Sequence, residues 1–212
     1  MRLELEQFCA VNHFNKEQLK ELLSKNGVSE KDLIVIDFIQ YWPENAKFRS
    51  PYKDYKDPYG STRKYLIDVN KYIKSNKNIY MPKYMIFFHS TASHLKDKIL
   101  EEGLLPTSNS RRRSYQSTNG YVYLASNKNK AVDFGKLGNG NNICTFAVLV
   151  KTTDILMDLD QLRNKKASAN QYGYEEDIKE TLADSIWYGG GVRVKGMIQP
   201  YQIILMKESI LE

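Results

Sequence analysis

The chain has 212 residues, of which 42% are hydrophobic and 12% aromatic, and its formal charge is +6. This composition excludes a disordered or fibrous chain and is sufficient for one well-buried core with a small extension. The positive charge favours an anionic partner, although abundant lysine that serves solubility would give the same value.

Cysteine and histidine usage excludes two further classes. Cys9 and Cys144 are the only cysteines, which argues against a disulfide scaffold, and the three histidines lie in no ligand-spaced cluster, so we expect no metal. The N-terminus carries Glu4 and Glu6 where a secretory signal would be apolar, and no run approaches the ~20 apolar residues of a membrane span. We expect a soluble, cytoplasmic protein without a membrane partner.

The first eighty residues carry helical patterns around a proline-rich stretch. Asn15–Asn26 is predicted as a helix with Asn15 as its N-cap, and the apolar run Leu33–Tyr41 fits either a helix or a buried strand. Trp42–Gly60 is punctuated by prolines and is predicted as a long loop, and Ser61–Ser75 as a further helix.

After residue 82 the pattern changes to short apolar runs between turns. Two short helices are predicted, Ser93–Glu102 and Lys128–Phe134, the second capped by Asn127 and closed by Gly135. A turn is predicted over Gly138–Asn142. The fold class is therefore α+β, with a helical segment at residues 1–80 and an α+β domain at residues 81–212. The predicted strands are 84–88, 121–125, 143–150, 155–159, 192–198 and 202–206.

Three motifs follow one another in this second half. Phe87-Phe88-His89-Ser90-Thr91 ends a predicted strand, Tyr121-Val122-Tyr123-Leu124-Ala125 precedes a helix ending in Asp133-Phe134-Gly135, and Gly191-Val192-Arg193-Val194-Lys195-Gly196 opens the closing strand. Their order, over residues 84–206, resembles the ADP-ribosyltransferase superfamily. The resemblance implies a split, mixed or antiparallel sheet, with NAD as the substrate and no metal. It also implies cleavage of the nicotinamide–ribose bond and transfer of ADP-ribose to a macromolecular acceptor.

According to the resemblance, the first motif supplies the contacts with the ribose and with the nicotinamide carboxamide. His89 would hydrogen-bond the ribose hydroxyls, for which an imidazole offers one donor and one acceptor. The backbone of Ser90 would pair with the nicotinamide carboxamide, and Thr91 would add a hydroxyl near the ribose or the adenosine. A histidine that satisfies its hydrogen bonds in the core is the alternative for His89.

The aromatic and basic residues complete the implied site. Tyr123 would stack on the nicotinamide, with Tyr121 on the same strand face as its competitor, and Phe134 would close the opposite face. Plain core packing is the alternative for these rings. Arg112, in the loop with Arg111 and Arg113, would bind the pyrophosphate, unless this loop is solvated or contacts nucleic acid.

The chain departs from the family pattern at one place. Many members carry a glutamate at the start of the closing strand, where Gly189-Gly190-Gly191 stands here. Glu180 is taken as the replacement catalytic carboxylate, with Glu176 as the other candidate on a segment predicted to be helical. An enzyme that works without this carboxylate, an NAD-dependent RNA 2′-phosphotransferase and a degenerate nucleotide- or nucleic-acid-binding module remain as alternatives.

The acceptor is predicted from the charge of the chain and from one stretch of aromatic and basic residues. The net charge, the arginine loop and the alternating aromatic and basic residues of Tyr52–Lys64 favour a nucleic acid slightly over a protein. A toxin, antiphage or phage-borne modifying factor fits such a small transferase by analogy.

Overall fold

The structure is a computed structural model, and it describes residues 5–34, 83–106, 117–170, 180–182 and 185–206. In these ranges the helices are α1 (Leu5–Val11), α2 (Lys16–Lys25), α3 (Lys96–Glu102), α4 (Lys128–Asn139) and α5 (Leu159–Asn170). The strands are β1 (Leu33–Ile34), β2 (Tyr84–Ala92), β3 (Tyr121–Ala125), β4 (Ile143–Lys151), β5 (Ile155–Met157), β6 (Gly191–Lys195) and β7 (Ile203–Leu205).

The strands form one sheet in the order β5-β6-β3-β2-β4-β7, and each neighbouring pair in this order is antiparallel. The short strand β1 pairs parallel with the start of β2, Leu33 opposite Tyr84. The predicted α+β class is therefore confirmed, with a sheet that is antiparallel in six of its strands.

The two faces of the sheet carry separate hydrophobic clusters, because side chains alternate along each strand. Met85 and Phe87 of β2 belong to the first cluster, and Ile86 and Phe88 belong to the second. Helices α1 and α2 cover the second cluster, where the ring of Phe8 stacks on Phe88 with their centroids 6.1 Å apart. Residues 5–34 thus share a core with the sheet.

The N-terminal helix prediction is confirmed. The side chain of Asn15 accepts hydrogen bonds from the backbone N–H groups of Glu17 and Gln18, at 2.8 and 3.2 Å, and so caps α2. The side chain of Gln18 donates to the carbonyl of Leu205 at 2.8 Å, and that of Asn26 donates to the carbonyl of Tyr201 at 2.7 Å. These two bonds tie α2 to the β7 end of the sheet.

Several predicted boundaries are wrong. β2 continues to Ala92, so His89, Ser90 and Thr91 lie inside a strand paired with β4 and not at its end. Helix α4 does not end at Gly135 but continues four residues beyond it. A glycine is needed at position 135 because a Cβ there would lie 2.7 Å from the Cβ of Ser90. The predicted turn over Gly138–Asn142 is therefore helical in its first two residues.

The strand predicted over 155–159 ends at Met157, and α5 begins at once. Asp158 caps this helix, since its Oδ1 accepts a hydrogen bond from the N–H of Gln161 at 3.0 Å. The strand predicted over 192–198 likewise ends at Lys195.

Some predictions fall outside the described residues: the loop at 42–60, the helix at 61–75 and most of the run 33–41. The division near residue 80 stays a prediction. No helix in the described part of the chain is both long and apolar enough to cross a membrane.

Candidate active site

Strands β2 and β3 separate just after they meet. Among the described residues they share one partner pair, Phe88 opposite Ala125, whereas β2 and β4 share nine pairs and β3 and β6 share five. Continued antiparallel pairing would set His89–Ala92 against Tyr121–Leu124, and no such pairs form. We call the space between these two segments the β2–β3 opening.

His89 is the first residue of β2 in this opening. Its Nδ1 lies 3.0 Å from the carbonyl oxygen of Tyr123. A carbonyl can only accept a hydrogen bond, so Nδ1 carries the proton. Burial lowers the pKa of His89, and the bond to Tyr123 offsets this only in part. The imidazole is therefore neutral near pH 7, and its Nε2 is an acceptor, as binding a ribose hydroxyl would require.

The hydroxyl of Tyr123 is held at the N-terminus of α5. It donates to the carboxylate of Asp160 and lies 3.2 Å from the carbonyl of Thr118. The N–H and hydroxyl of Thr118 also donate to Asp160, at 2.9 and 3.0 Å. These contacts hold the hydroxyl end of the Tyr123 ring against α5.

In the contact between Tyr123 and Asp160, the phenol is protonated and the carboxylate is ionised. Burial, followed by the hydrogen bond and charge of Asp160, raises the pKa of Tyr123 to about 12. Burial works to raise the pKa of Asp160, but the hydrogen bonds from Tyr123 and Thr118 outweigh it and the pKa is lowered. The site thus contains a neutral phenol and a carboxylate anion.

Sequence reasoning missed Asp160, and it missed Arg193. Asp158 followed three residues later by Gln161 is a helix-start pattern, and it could have placed both aspartates at the beginning of a helix. Nothing in the sequence shows that this helix begins against Tyr123.

Arg193 lies on β6 directly opposite Tyr123 in the strand pairing. It is only 9% exposed, its guanidinium carbon lies 4.3 Å from the centroid of the Tyr121 ring, and its Nε has no hydrogen-bond partner among the described residues. Arg193 therefore covers one face of Tyr121 by a cation–π contact. Tyr123 is the better candidate for the stacking role, because its ring is not covered in this way.

Three other residues predicted to contact NAD, Ser90, Thr91 and Phe134, lie on or near β2. The hydroxyl of Ser90 lies 2.8 Å from that of Thr145, so the side chain is engaged on the face covered by α4, and the predicted role through the backbone remains. Thr91 is paired with Cys144 across β2 and β4. Phe134 is partly buried against the second hydrophobic cluster. This placement agrees with the alternative that its ring packs in the core.

Two of the three glycines at the start of β6, Gly190 and Gly191, lie too close to neighbouring atoms to accept a side chain in place. Gly190 has φ +71°, and a Cβ there would lie 2.6 Å from Cε of Lys130. A Cβ at Gly191 would lie 2.7 Å from the carbonyl oxygen of Leu124. A carboxylate at Gly190 or Gly191 would therefore require neighbouring atoms to move, whereas a Cβ at Gly189 would make only an ordinary contact with Gln161 at 3.5 Å.

Of the remaining predicted residues, the structure describes Glu180 alone. Glu180 is exposed, and the carboxylate that contacts Tyr123 is Asp160. Arg112 and Glu176 lie outside the described residues. The described residues also contain no group of three or more histidine, cysteine or acidic side chains that could hold a metal ion.

The burial of Asp158 makes the stability of the folded protein depend on pH. Burial raises its pKa to about 6, from an ordinary value of 3.8. The folded protein therefore holds a proton between about pH 4 and 6 that the unfolded chain has lost, and this contribution to stability disappears as the pH rises through 6. We expect Asp158→Asn, which keeps the acceptor of the helix cap, to be more stable than the wild type at pH 7 by up to about 3 kcal/mol.

Unfolding by denaturant at pH 4.5 and pH 7.5 tests this expectation. The difference between Asp158→Asn and the wild type should shrink at the lower pH, and Asp154→Asn, the same change at an exposed aspartate, is the control. A difference that is the same at both pH values would contradict it.

Comparison with known proteins gives no further guide. No protein-family model matches the chain, and no curated protein matches it significantly. A functional assignment therefore depends on the motifs and on the geometry described above.

Proposed function

We propose that the chain is an NAD-dependent ADP-ribosyltransferase, with the nicotinamide riboside bound at the β2–β3 opening. The observation that supports this best is the separation of β2 from β3 at His89, whose Nδ1 donates to the backbone carbonyl of Tyr123 and whose Nε2 is left as an acceptor. This hydrogen bond joins the imidazole to the backbone of Tyr123, on the other side of the opening. A split sheet with these two residues at the split is what the motif order implies.

The proposed chemistry breaks the bond between nicotinamide and the ribose C1′. The bonding electron pair leaves with nicotinamide, and positive charge develops on the ribose. A nucleophile of the acceptor then forms a bond to C1′ and releases its proton. A fixed carboxylate near the ribose stabilises this charge, and Asp160 is the anion that the described structure offers, in place of Glu180.

A second candidate function rests on Lys130. Its side chain lies against Gly190, where the family pattern has a carboxylate. A cation near the reacting ribose would oppose the developing positive charge. This contact favours a module that binds a nucleotide or nucleic acid without cleaving it.

Release of nicotinamide from NAD, measured by liquid chromatography, separates the two functions. We expect release above background, and incorporation of label from adenine-labelled NAD into RNA or protein when the acceptor is supplied. Tyr123→Ala should reduce release, whereas Tyr201→Ala, a change at a 55% exposed tyrosine, should not. Background release combined with an NAD-dependent rise in melting temperature would establish the binding module instead.

A further inference from the structure

Arg193 lies in a row of side chains that crosses three strands. On β6 it stands opposite Tyr123 of β3 on one side and opposite Leu156 of β5 on the other. Residues directly opposite each other in antiparallel strands project from the same face, with Cβ atoms about 5 Å apart. Four residues after Leu156, the carboxylate of Asp160 accepts a hydrogen bond from the hydroxyl of Tyr123. The start of α5 thus bridges β5 and β3 on the side of β6 that carries Arg193.

The guanidinium of Arg193 is buried on this side of the sheet without an ion pair. Arg193 is 9% exposed, and the ion pairs among the described residues do not include it. Its Nε has no hydrogen-bond partner among these residues, and its guanidinium carbon lies 4.3 Å from the centroid of the Tyr121 ring. A buried charge with incomplete pairing costs stability, and an apolar side chain of similar length would avoid this cost. Such departures from good packing are expected at functional sites.

The charge of Arg193 acts on the contact between Tyr123 and Asp160. Burial acts to raise the pKa of Asp158 and of Asp160 at the start of α5, and the positive charge of Arg193 acts to lower it at both. Burial also raises the pKa of Tyr123 to about 12, and a hydrogen bond from Arg193 acts in the opposite direction. The same cation therefore favours an ionised Asp160 beside Tyr123.

We propose that Arg193 is a positioning residue, whose buried charge holds the carboxylate of Asp160 against the hydroxyl of Tyr123. Its effect on NAD cleavage rests on the proposed function, in which both partners of this contact act on the nicotinamide riboside. A displacement of such groups by about 1 Å costs a large part of the rate. Arg193 itself touches neither NAD nor the acceptor in this scheme.

The test compares variants of the full chain at Arg193. Arg193→Met keeps a long side chain but removes the charge, so kcat for nicotinamide release should fall about 10-fold while KM for NAD changes by less than about twofold. Arg193→Lys returns the charge without the planar face and should recover kcat to within about threefold of the wild type. Arg163→Met, the same change at an exposed position on α5, should keep the wild-type kcat. A wild-type kcat in a folded Arg193→Met would overturn the proposal.

A second readout does not depend on NAD. In protein labelled for NMR at its aspartate carboxyl carbons, the signal that disappears in Asp160→Asn reports the ionisation of Asp160. Loss of the neighbouring cation in Arg193→Met should move the midpoint of this ionisation upwards by about one pH unit, and Arg163→Met should not move it. Arg193→Gln gives the same measurement if Arg193→Met folds poorly.

The two readouts separate the role of Arg193 from the proposed function. If the midpoint shifts but the wild type releases no nicotinamide, the role of Arg193 is supported and NAD cleavage is contradicted. An unchanged midpoint in both neutral variants would exclude this role of Arg193, whether or not nicotinamide is released.

Discussion

Replacing His89 with alanine should reduce the rate of nicotinamide release by about 100-fold or more, because the ribose would lose the group that orients it. The imidazole is neutral, and its Nε2 is free to accept because Nδ1 donates to the carbonyl of Tyr123. Steady-state release of nicotinamide from NAD measures the effect. Loss of the Nδ1 hydrogen bond also leaves the Tyr123 carbonyl without its side-chain donor, so the melting temperature must be measured in parallel.

A matched control is available at the next histidine along the chain, His94. His94 is exposed and lies outside the opening, so His94→Ala should retain the wild-type rate. His89→Asn keeps a polar group of smaller size and should recover part of the stability but little of the rate. A rate in His89→Ala within about threefold of the wild type, in a folded variant, would remove His89 from the mechanism.

Phe88→Ala should lower the free energy of unfolding by about 3–5 kcal/mol. The side chain has no exposed area, it stacks on Phe8, and it lies at the one position where β2 and β3 are paired. The substitution therefore leaves a cavity in the cluster that joins α1 and α2 to the sheet. Denaturant unfolding followed by circular dichroism measures the change.

The control for this cavity is an exposed apolar residue. Leu137 on α4 is 64% exposed, and Leu137→Ala should change the free energy of unfolding by no more than about 0.5 kcal/mol. A loss below about 1 kcal/mol for Phe88→Ala would mean that α1 and α2 do not pack on the sheet as described.

The sequence was most informative where local chemistry determines structure. Asn15 predicted the start of α2, because a side chain that caps a helix acts on backbone groups two and three residues away. The short apolar run Tyr121–Ala125 between turns predicted β3 with the bounds that the structure has. Both signals lie within a few residues of the element they specify.

The sequence was least informative where a contact between distant segments decides the outcome. β2 was predicted too short because His89-Ser90-Thr91 is polar, but pairing with β4 and the contact of Ser90 with Thr145 keep it extended. The helix that carries Asp160 was missed, and the hydrogen bond from Tyr123 crosses 37 residues of chain. Motif order suggested that His89 and Tyr123 belong to one site. The structure joins the His89 imidazole to the backbone carbonyl of Tyr123, and the roles of both residues toward NAD stay predictions.

The bonds from α2 to the opposite end of the described chain have a consequence for how this protein folds. Gln18 and Leu205 are 187 residues apart in the chain, and Asn26 and Tyr201 are 175 residues apart. Such distant partners make the contact order high, so we expect slow refolding, on the order of milliseconds to seconds. The apolar surface that α2 covers stays open to solvent until the two segments meet, and self-association should therefore compete with refolding at high protein concentration.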